Sequence, residues 1–384
     1  MDFSWSARNE ELRSLARRIT EEVVAPRAAE IDAAGEYPHD IFDTFKEAGL
    51  LGLSIDPQYG GTGDGTLGLA IAVEEVARAC CNSGLLLLMA RLSTVHIAIA
   101  GTEEQKRRYL GGVARGELKG AFALTEPEVG SDSGHIGTAA MRDGDAYILN
   151  GTKRWAGQAT VADYVIVAAR TGDGSRDIGV FIVPTDNPGF RIVRTMPKMG
   201  VNAVPVVEIA LEECRIPVAN RVGPEQGGFR MLLQGLSLVR PIVAARGLGL
   251  AAGILQYATE YARARHAMGK PVIEHQAVSF KLAERAMELE AARLLTHRAA
   301  WLIDRGKTTP ADATHYSMAK AYATEMAVRA ADTALQTLGG NGYLKEYPTE
   351  RFYRDARQLM LVEGTSEIQR LIIARAIEVG DYQW

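Results

Sequence analysis

The feature that most constrains this chain is a hydrophobic period that changes twice along its length. Residues 1–119 repeat apolar side chains three and four positions apart, which is the pattern of amphipathic helices. From about Ala121 to Pro217 that pattern gives way to short β-branched and aromatic runs, AYILNG, YVIVAAR, GVFIVP, FRIVR and VPVVEIAL. Turn clusters RDGD, GDGS and DNPG separate them. This spacing predicts antiparallel strands with no room for crossover helices. From about Gly227 to the end the helical period returns. The expected organisation is α+β, with an N-terminal helical domain over 1–120, a middle β domain over 121–226 and a C-terminal four-helix bundle over 227–384.

Local signals refine this layout. Pro26 is expected to kink or end the first helix. Asp56-Pro57 and Gly60-Gly61-Thr62-Gly63 mark a surface loop. A helical pair is predicted over 66–81 and 84–100. Thr102 is a good N-cap, with Glu103 and Glu104 in the first turn where the helix dipole favours acids. Phe280, Met287, Leu294 and Trp301 fall seven apart, and this stripe is expected to be bundle core.

Composition excludes several functions. With 43 basic and 47 acidic residues the net charge is −4, which gives no overall steering towards nucleic acid or an anionic membrane. Cys80, Cys81 and Cys214 make no disulfide framework, so a reducing compartment is the simpler expectation. The N-terminus lacks the apolar stretch of a secretory signal, and the apolar run Leu85–Ala90 is far short of a span of roughly 20 residues. A protein without a membrane span is expected, cytoplasmic or, as a mature chain, in the mitochondrial matrix.

Familiar catalytic patterns fail. The glycines of GLGLAAG (247–253) have the wrong spacing for a dinucleotide fingerprint and follow no strand, so close helix packing is expected there. GSDSG (130–134) is not a nucleophile elbow, there is no Walker A pattern, and the seven histidines are scattered. No metal site is expected.

Three stretches together resemble the acyl-CoA dehydrogenase family of flavoenzymes, its medium- and short-chain members most. They are GAFALTEPEVGSD (120–132) with LNGTKRW (149–155), VRPIVAARGLGLAAGILQYATEYARAR with GKPVIEHQAVSFKLAE (239–284), and QTLGGNGYLKEYPTERFYRDARQLMLVEGTSEIQRLIIAR (336–375). The resemblance runs in order over nearly the whole chain. It implies the family's helical, β, helical fold, FAD as cofactor, and α,β-dehydrogenation of an acyl thioester to the 2-enoyl thioester. Electrons would pass to an electron-transfer flavoprotein.

Carried over residue by residue, the resemblance implies Glu363 as the base that removes the α-proton. The other position where some relatives keep their base falls in Leu236–Arg240, which offers no carboxylate. Leu124, Thr125, Ser131, Trp155, Gly157, Thr365 and Glu367 are implied at the flavin. Arg265, Gln276, Gln336, Gly339 and Gly340 are implied around a flavin shared with a second subunit. That sharing requires at least a dimer, and a homotetramer built as a dimer of dimers is expected. Ser131, Arg240 and Gly364 are implied near the thioester.

Several positions depart from the pattern. Ala156-Gly157-Gln158 lacks the hydroxyl residue that usually bonds flavin N5. Ala267 and Met268, then Asn202, Val204 and Pro205, and finally Val362 replace commoner residues. They suggest a differently shaped pocket. Two further readings follow from these departures: a dehydrogenase for acyl groups held on an acyl carrier protein, and a flavin-binding scaffold that has lost turnover. An oxidase or monooxygenase on the same fold is a more distant reading.

Overall fold

The computed structural model describes residues 4–382. Its N-terminal helices are α1 (Ala7–Ile19) and α2 (Ala25–Ala34), joined through a π turn at Thr20–Val24. The helical path therefore neither ends nor breaks at Pro26. The π turn starts a new register just upstream, so proline occupies the first turn of α2, where its missing N–H would have had no helical partner. Then come α3 (His39–Glu47), α4 (Gly65–Ala77), α5 (Cys81–Leu92), α6 (Val95–Ala100), α7 (Glu103–Gln105) and α8 (Gly111–Ala114). Thr102 and Gln105 form a reciprocal capping box at α7. The Gln105 amide also donates to the carbonyls of Ala219 and Arg221, at 2.7 and 2.9 Å, tying these helices to the sheet.

The middle segment holds β1 (Gly120–Ala123), β2 (Ala139–Asp143), β3 (Ala146–Gly157), β4 (Tyr164–Arg170), β5 (Ile178–Pro184), β6 (Phe190–Thr195), β7 (Val206–Pro217) and β8 (Arg221–Val222). The order is β6-β7-β3-β2-β4-β5-β8, with β1 added against β4. The sheet is mixed rather than antiparallel. β1 pairs with β4 in parallel, and β2 meets β4 in parallel at Ala139 and Arg170. The parallel pair needs no crossover helix, because the β2–β3 hairpin of the same sheet makes the return connection.

Both faces of the central strands are covered. Tyr164, Ile166 and Ala168 of β4, with Ile178, Val180 and Ile182 of β5, join the helical core. Their neighbours Val165, Val167, Ala169, Phe181 and Val183 join a second core with Leu149, Ile209 and Leu211. The two-residue period of a strand thus feeds two cores at once.

The C-terminal helices are α9 (Gly228–Ala264), α10 (Gln276–Asp304), α11 (Ala313–Leu338), α12 (Thr349–Leu359) and α13 (Ser366–Glu378). A small hairpin of β9 (His266–Ala267) and β10 (Lys270–Pro271) precedes α10. At 37 residues α9 is the longest helix described. It and the segment 81–100 are long and apolar enough to cross a membrane, but both are mostly buried inside the protein itself, as core helices are. Gly249 and Gly253 of α9 sit so close to α4 that a methyl group would collide with the carbonyl oxygen of Glu74 or the Arg78 backbone. GLGLAAG is thus a helix-packing surface.

N- and C-terminal helices share one continuous core. Buried Glu74 of α4 accepts from Arg293 Nε at 2.9 Å and lies 3.2 Å from His297 Nε2, both on α10. Asp304 at the end of α10 accepts the N–H groups of Thr66 and Leu67, at 2.7 and 2.9 Å, and so caps α4 from a distance. One expectation fails here. Phe280, Met287, Leu294 and Trp301 are 47–68% exposed, because α10 packs inward through Ala292, Thr296, Ala299, Ala300 and Ile303. Seven-residue spacing shows that side chains share a face, not which face is covered.

Candidate active site

Glu363 lies in the turn between α12 and α13, with φ of +52°, and Gly364 follows at +88°. Successive left-handed residues reverse the chain sharply, and a glutamate holds that conformation only where its surroundings impose it. Thr365 then caps α13, its side chain accepting from the Ile368 N–H at 3.4 Å. Glu367 falls in the first turn and is exposed.

Glu363 is half-buried as a residue, and its neighbourhood is cationic. Arg240 of α9 is buried, donates to Ser317 Oγ at 3.1 Å and leaves its Nε without a partner. Desolvation pushes Arg240 down to about 10, and Glu363 opposes that shift. Lys320 of α11 is fully buried and donates Nζ to the Gly364 carbonyl at 2.8 Å. Burial pushes it down to about 8 against the pull of Glu363. Arg246 is also fully buried, bonding Cys81 and Gln358. Burial raises the Glu363 pKa above the ordinary carboxylate range, while Lys320, Arg240 and Arg246 pull it back. A carboxylate so placed is a stronger base than a solvated one and is still ionisable.

A second group of predicted residues gathers at the start of the sheet. Leu124 and Thr125 leave β1; the Leu124 carbonyl accepts from Lys153 Nζ at 2.9 Å and the Thr125 carbonyl from the Arg154 N–H at 2.7 Å. Trp155 stands within β3, where the pairing with β7 slips. Its φ is +66° and the side chain is 57% exposed. A β-bulge re-aims a side chain in just this way. Ser131 lies in the exposed loop beyond Thr125. Gly157 closes β3, and a Cβ there would meet only Met89, at 3.8 Å.

Arg265, Gln276, Gln336, Gly339 and Gly340 are all exposed. Arg265 ends α9, Gln276 begins α10, and the other three end α11. Asn341 Nδ2 donates to Tyr261 Oη at 2.8 Å, which holds the end of α11 against that of α9. Among the described residues, no hydrogen bond or ion pair joins these five to the Glu363 turn.

The departures from the common pattern have structural places as well. Asn202 donates to Asp32 of α2 at 3.2 Å, the Pro205 carbonyl accepts from the Gln158 N–H at 2.8 Å, and Val204 is fully buried. Ala267 and Met268 are exposed in the β9–β10 hairpin.

Three supporting residues were assigned no role from the sequence. Glu126, buried beside Thr125, accepts from Gly137 N at 2.6 Å, Thr138 N at 2.9 Å and Lys153 Nζ at 2.8 Å. It folds both ends of the 124–138 loop together. Lys320 and Gln369 pin the Glu363 turn. Gln369 lay inside EGTSEIQR, but Lys320 is one polar residue in an alanine-rich helix.

FAD needs a surface for a flat ring and open backbone or cations for a pyrophosphate. The exposed Trp155 indole would supply the first. Arg265 and the open backbone at Gly339 and Gly340, where a Cβ would meet nothing within 4 Å, would supply the second. The residues present fit the group.

Comparison with known proteins agrees along the whole chain. The acyl-CoA dehydrogenase N-terminal, middle and C-terminal domain families match residues 6–117, 121–214 and 226–378. A probable acyl-CoA dehydrogenase of Bacillus subtilis, YngJ, is 42% identical over 381 residues, covering 98% of this chain and all of that one. Butyryl-CoA dehydrogenase from Megasphaera elsdenii superposes with a TM-score of 0.95 at 34% identity, over 98% of this chain and 100% of that one. A chain from the structural study of the electron transferring flavoprotein of Acidaminococcus fermentans also gives 0.95, at 35% identity, over 98% and 99%.

Proposed function

This chain belongs to the acyl-CoA dehydrogenase family, FAD-dependent oxidoreductases acting on CH–CH groups, and on that premise we propose that Glu363 is its base. In this reading the chain desaturates an acyl-CoA thioester between the α- and β-carbons. The observation that carries it is the Glu363 carboxyl itself, held on a left-handed turn amid three buried cations.

Glu363 takes the α-proton onto its carboxylate. Its raised pKa makes that transfer less uphill, and the cations keep enough of it ionised to act. Arg240, buried and acting electrostatically on it, would serve the thioester arm. Leu124, Thr125, Ser131, Trp155, Gly157, Thr365 and Glu367 would hold FAD from one subunit. Arg265, Gln276, Gln336, Gly339 and Gly340 would hold it from a neighbour. When bound, FAD supplies the acceptor for the β-hydride.

The exposed stripe on α10 and the exposed flavin-side residues at the ends of α9 and α11 support a homotetramer. Likeness to the chain from the flavoprotein study supports an electron-transfer flavoprotein as the partner that reoxidises the enzyme.

The test is anaerobic mixing of the purified holoprotein with CoA and acyl-carrier-protein thioesters while the visible flavin band is followed. The expected result is bleaching by a CoA thioester, with Glu363→Gln keeping its yellow colour and losing at least about 10³-fold in rate. Full activity in Glu363→Gln would remove the base assignment. Bleaching by carrier-bound acyl groups alone would replace CoA as the carrier.

A further inference from the structure

The turn that carries Glu363 is held by two side chains that touch neither of the reacting atoms. Lys320, from α11, donates to the Gly364 carbonyl at 2.8 Å. Gln369, from the first turn of α13, donates to the same carbonyl at 2.9 Å and to the Glu363 carbonyl at 3.3 Å. Both donors are fully buried. The fit is close: a Cβ on Gly364 would stand 2.8 Å from the Gln369 amide nitrogen. Two left-handed residues in succession relax towards ordinary backbone unless their carbonyls are fixed, and these are the carbonyls fixed here.

Building on the reading of Glu363 as base, we infer that Lys320 and Gln369 are positioning residues that clamp the Glu363–Gly364 turn and so aim the carboxylate at the substrate's α-carbon. The two differ in kind. Gln369 contributes hydrogen bonds alone, whereas Lys320 also sets a positive charge beside the base. The charged groups acting on Glu363 are Lys320 from α11 with Arg240 and Arg246 from α9. Those acting on Lys320 are Glu363, Arg240, Glu325 and Glu367. Removing the lysine charge disfavours the ionised carboxylate; removing the glutamine leaves that balance unchanged.

The experiment compares flavin-loaded wild type, Glu363→Gln, Lys320→Met, Lys320→Arg and Gln369→Leu. Each is mixed anaerobically with butyryl-CoA and octanoyl-CoA across a pH series. Crystal structures of Lys320→Met and Gln369→Leu accompany the kinetics. Misplacing a reacting group by about 1 Å costs on the order of 10²-fold, so that loss of bleaching rate is expected in both, with thioester affinity changed less than about twofold. The base limb of the pH profile moves upward in Lys320→Met and stays in place in Gln369→Leu, while Lys320→Arg recovers part of the rate. In both crystal structures residues 363–364 leave the left-handed region. A turn that keeps its geometry overturns the clamp, whether or not either thioester bleaches the flavin. Wild-type bleaching in Lys320→Met and Gln369→Leu beside an inactive Glu363→Gln overturns the clamp and leaves the base standing. Normal bleaching in Glu363→Gln removes the base, and the backbone then decides the clamp separately.

Discussion

At the scale of single residues, burying Glu363 costs the fold stability. Its folded pKa lies above its unfolded value, so between those values the native state binds more protons than the unfolded one. This group therefore destabilises the fold as pH rises through that window. Glu363→Gln should melt above wild type at neutral pH and converge with it at acidic pH, a difference that calorimetry at two pH values would read. Gly157 makes a second test. It is an ordinary strand position with room beside Met89, so Gly157→Ser should fold with equal or greater stability, since glycine weakens a strand. If a hydroxyl at this position bonds the flavin, the variant's visible spectrum shifts and its bleaching accelerates; an unchanged spectrum would show that the side chain does not reach the ring. Residues such as Glu363, Thr365 and Trp155 were open to sequence reading because they sit in contiguous motifs. Lys320 was not, because what marks it is burial and a partner from a distant element; Glu126 and Lys153 sit in quoted motifs, but their pairing across the sheet is visible only in the fold.

At the scale of elements, packing decides more than local propensity does. Gly249→Ala or Gly253→Ala would push α9 off the backbone of α4, and each should destabilise by about 1–3 kcal/mol, which urea melts followed by circular dichroism would show. Thr102→Ala removes one half of a capping box and should cost about 1 kcal/mol in the same assay. The alternation of period located the helices and most strands, since burial on one side of an element writes itself into the sequence. It missed the parallel β1–β4 pairing, because strand direction is set by the route of the connection. It also missed the π turn that absorbs Pro26, a backbone adjustment that leaves no trace in side-chain type.

For the whole molecule, the α10 stripe predicts association. Phe280→Glu combined with Met287→Glu should lower the mass seen by analytical ultracentrifugation and, on the proposed sharing of the flavin through Arg265 and Gln276, release flavin on dilution. A mass and flavin content equal to wild type would place the interface elsewhere. The spacing of the stripe was legible, but its exposure depended on the small residues that α10 turns inward, and those are visible only once α9 and α11 are in place.

The α10 partners of Glu74 bear on how the chain is made. Arg293 and His297 lie 219 and 223 residues downstream of it, and the cap that Asp304 gives α4 is farther still. On a ribosome that adds roughly 5–20 residues per second, the N-terminal helices emerge with an acidic side chain destined for burial and without the α10 partners that bond it. They have to wait some tens of seconds, open and hydrated, until α10 arrives. The first third of this protein therefore completes its buried polar contacts only when the last third has been made.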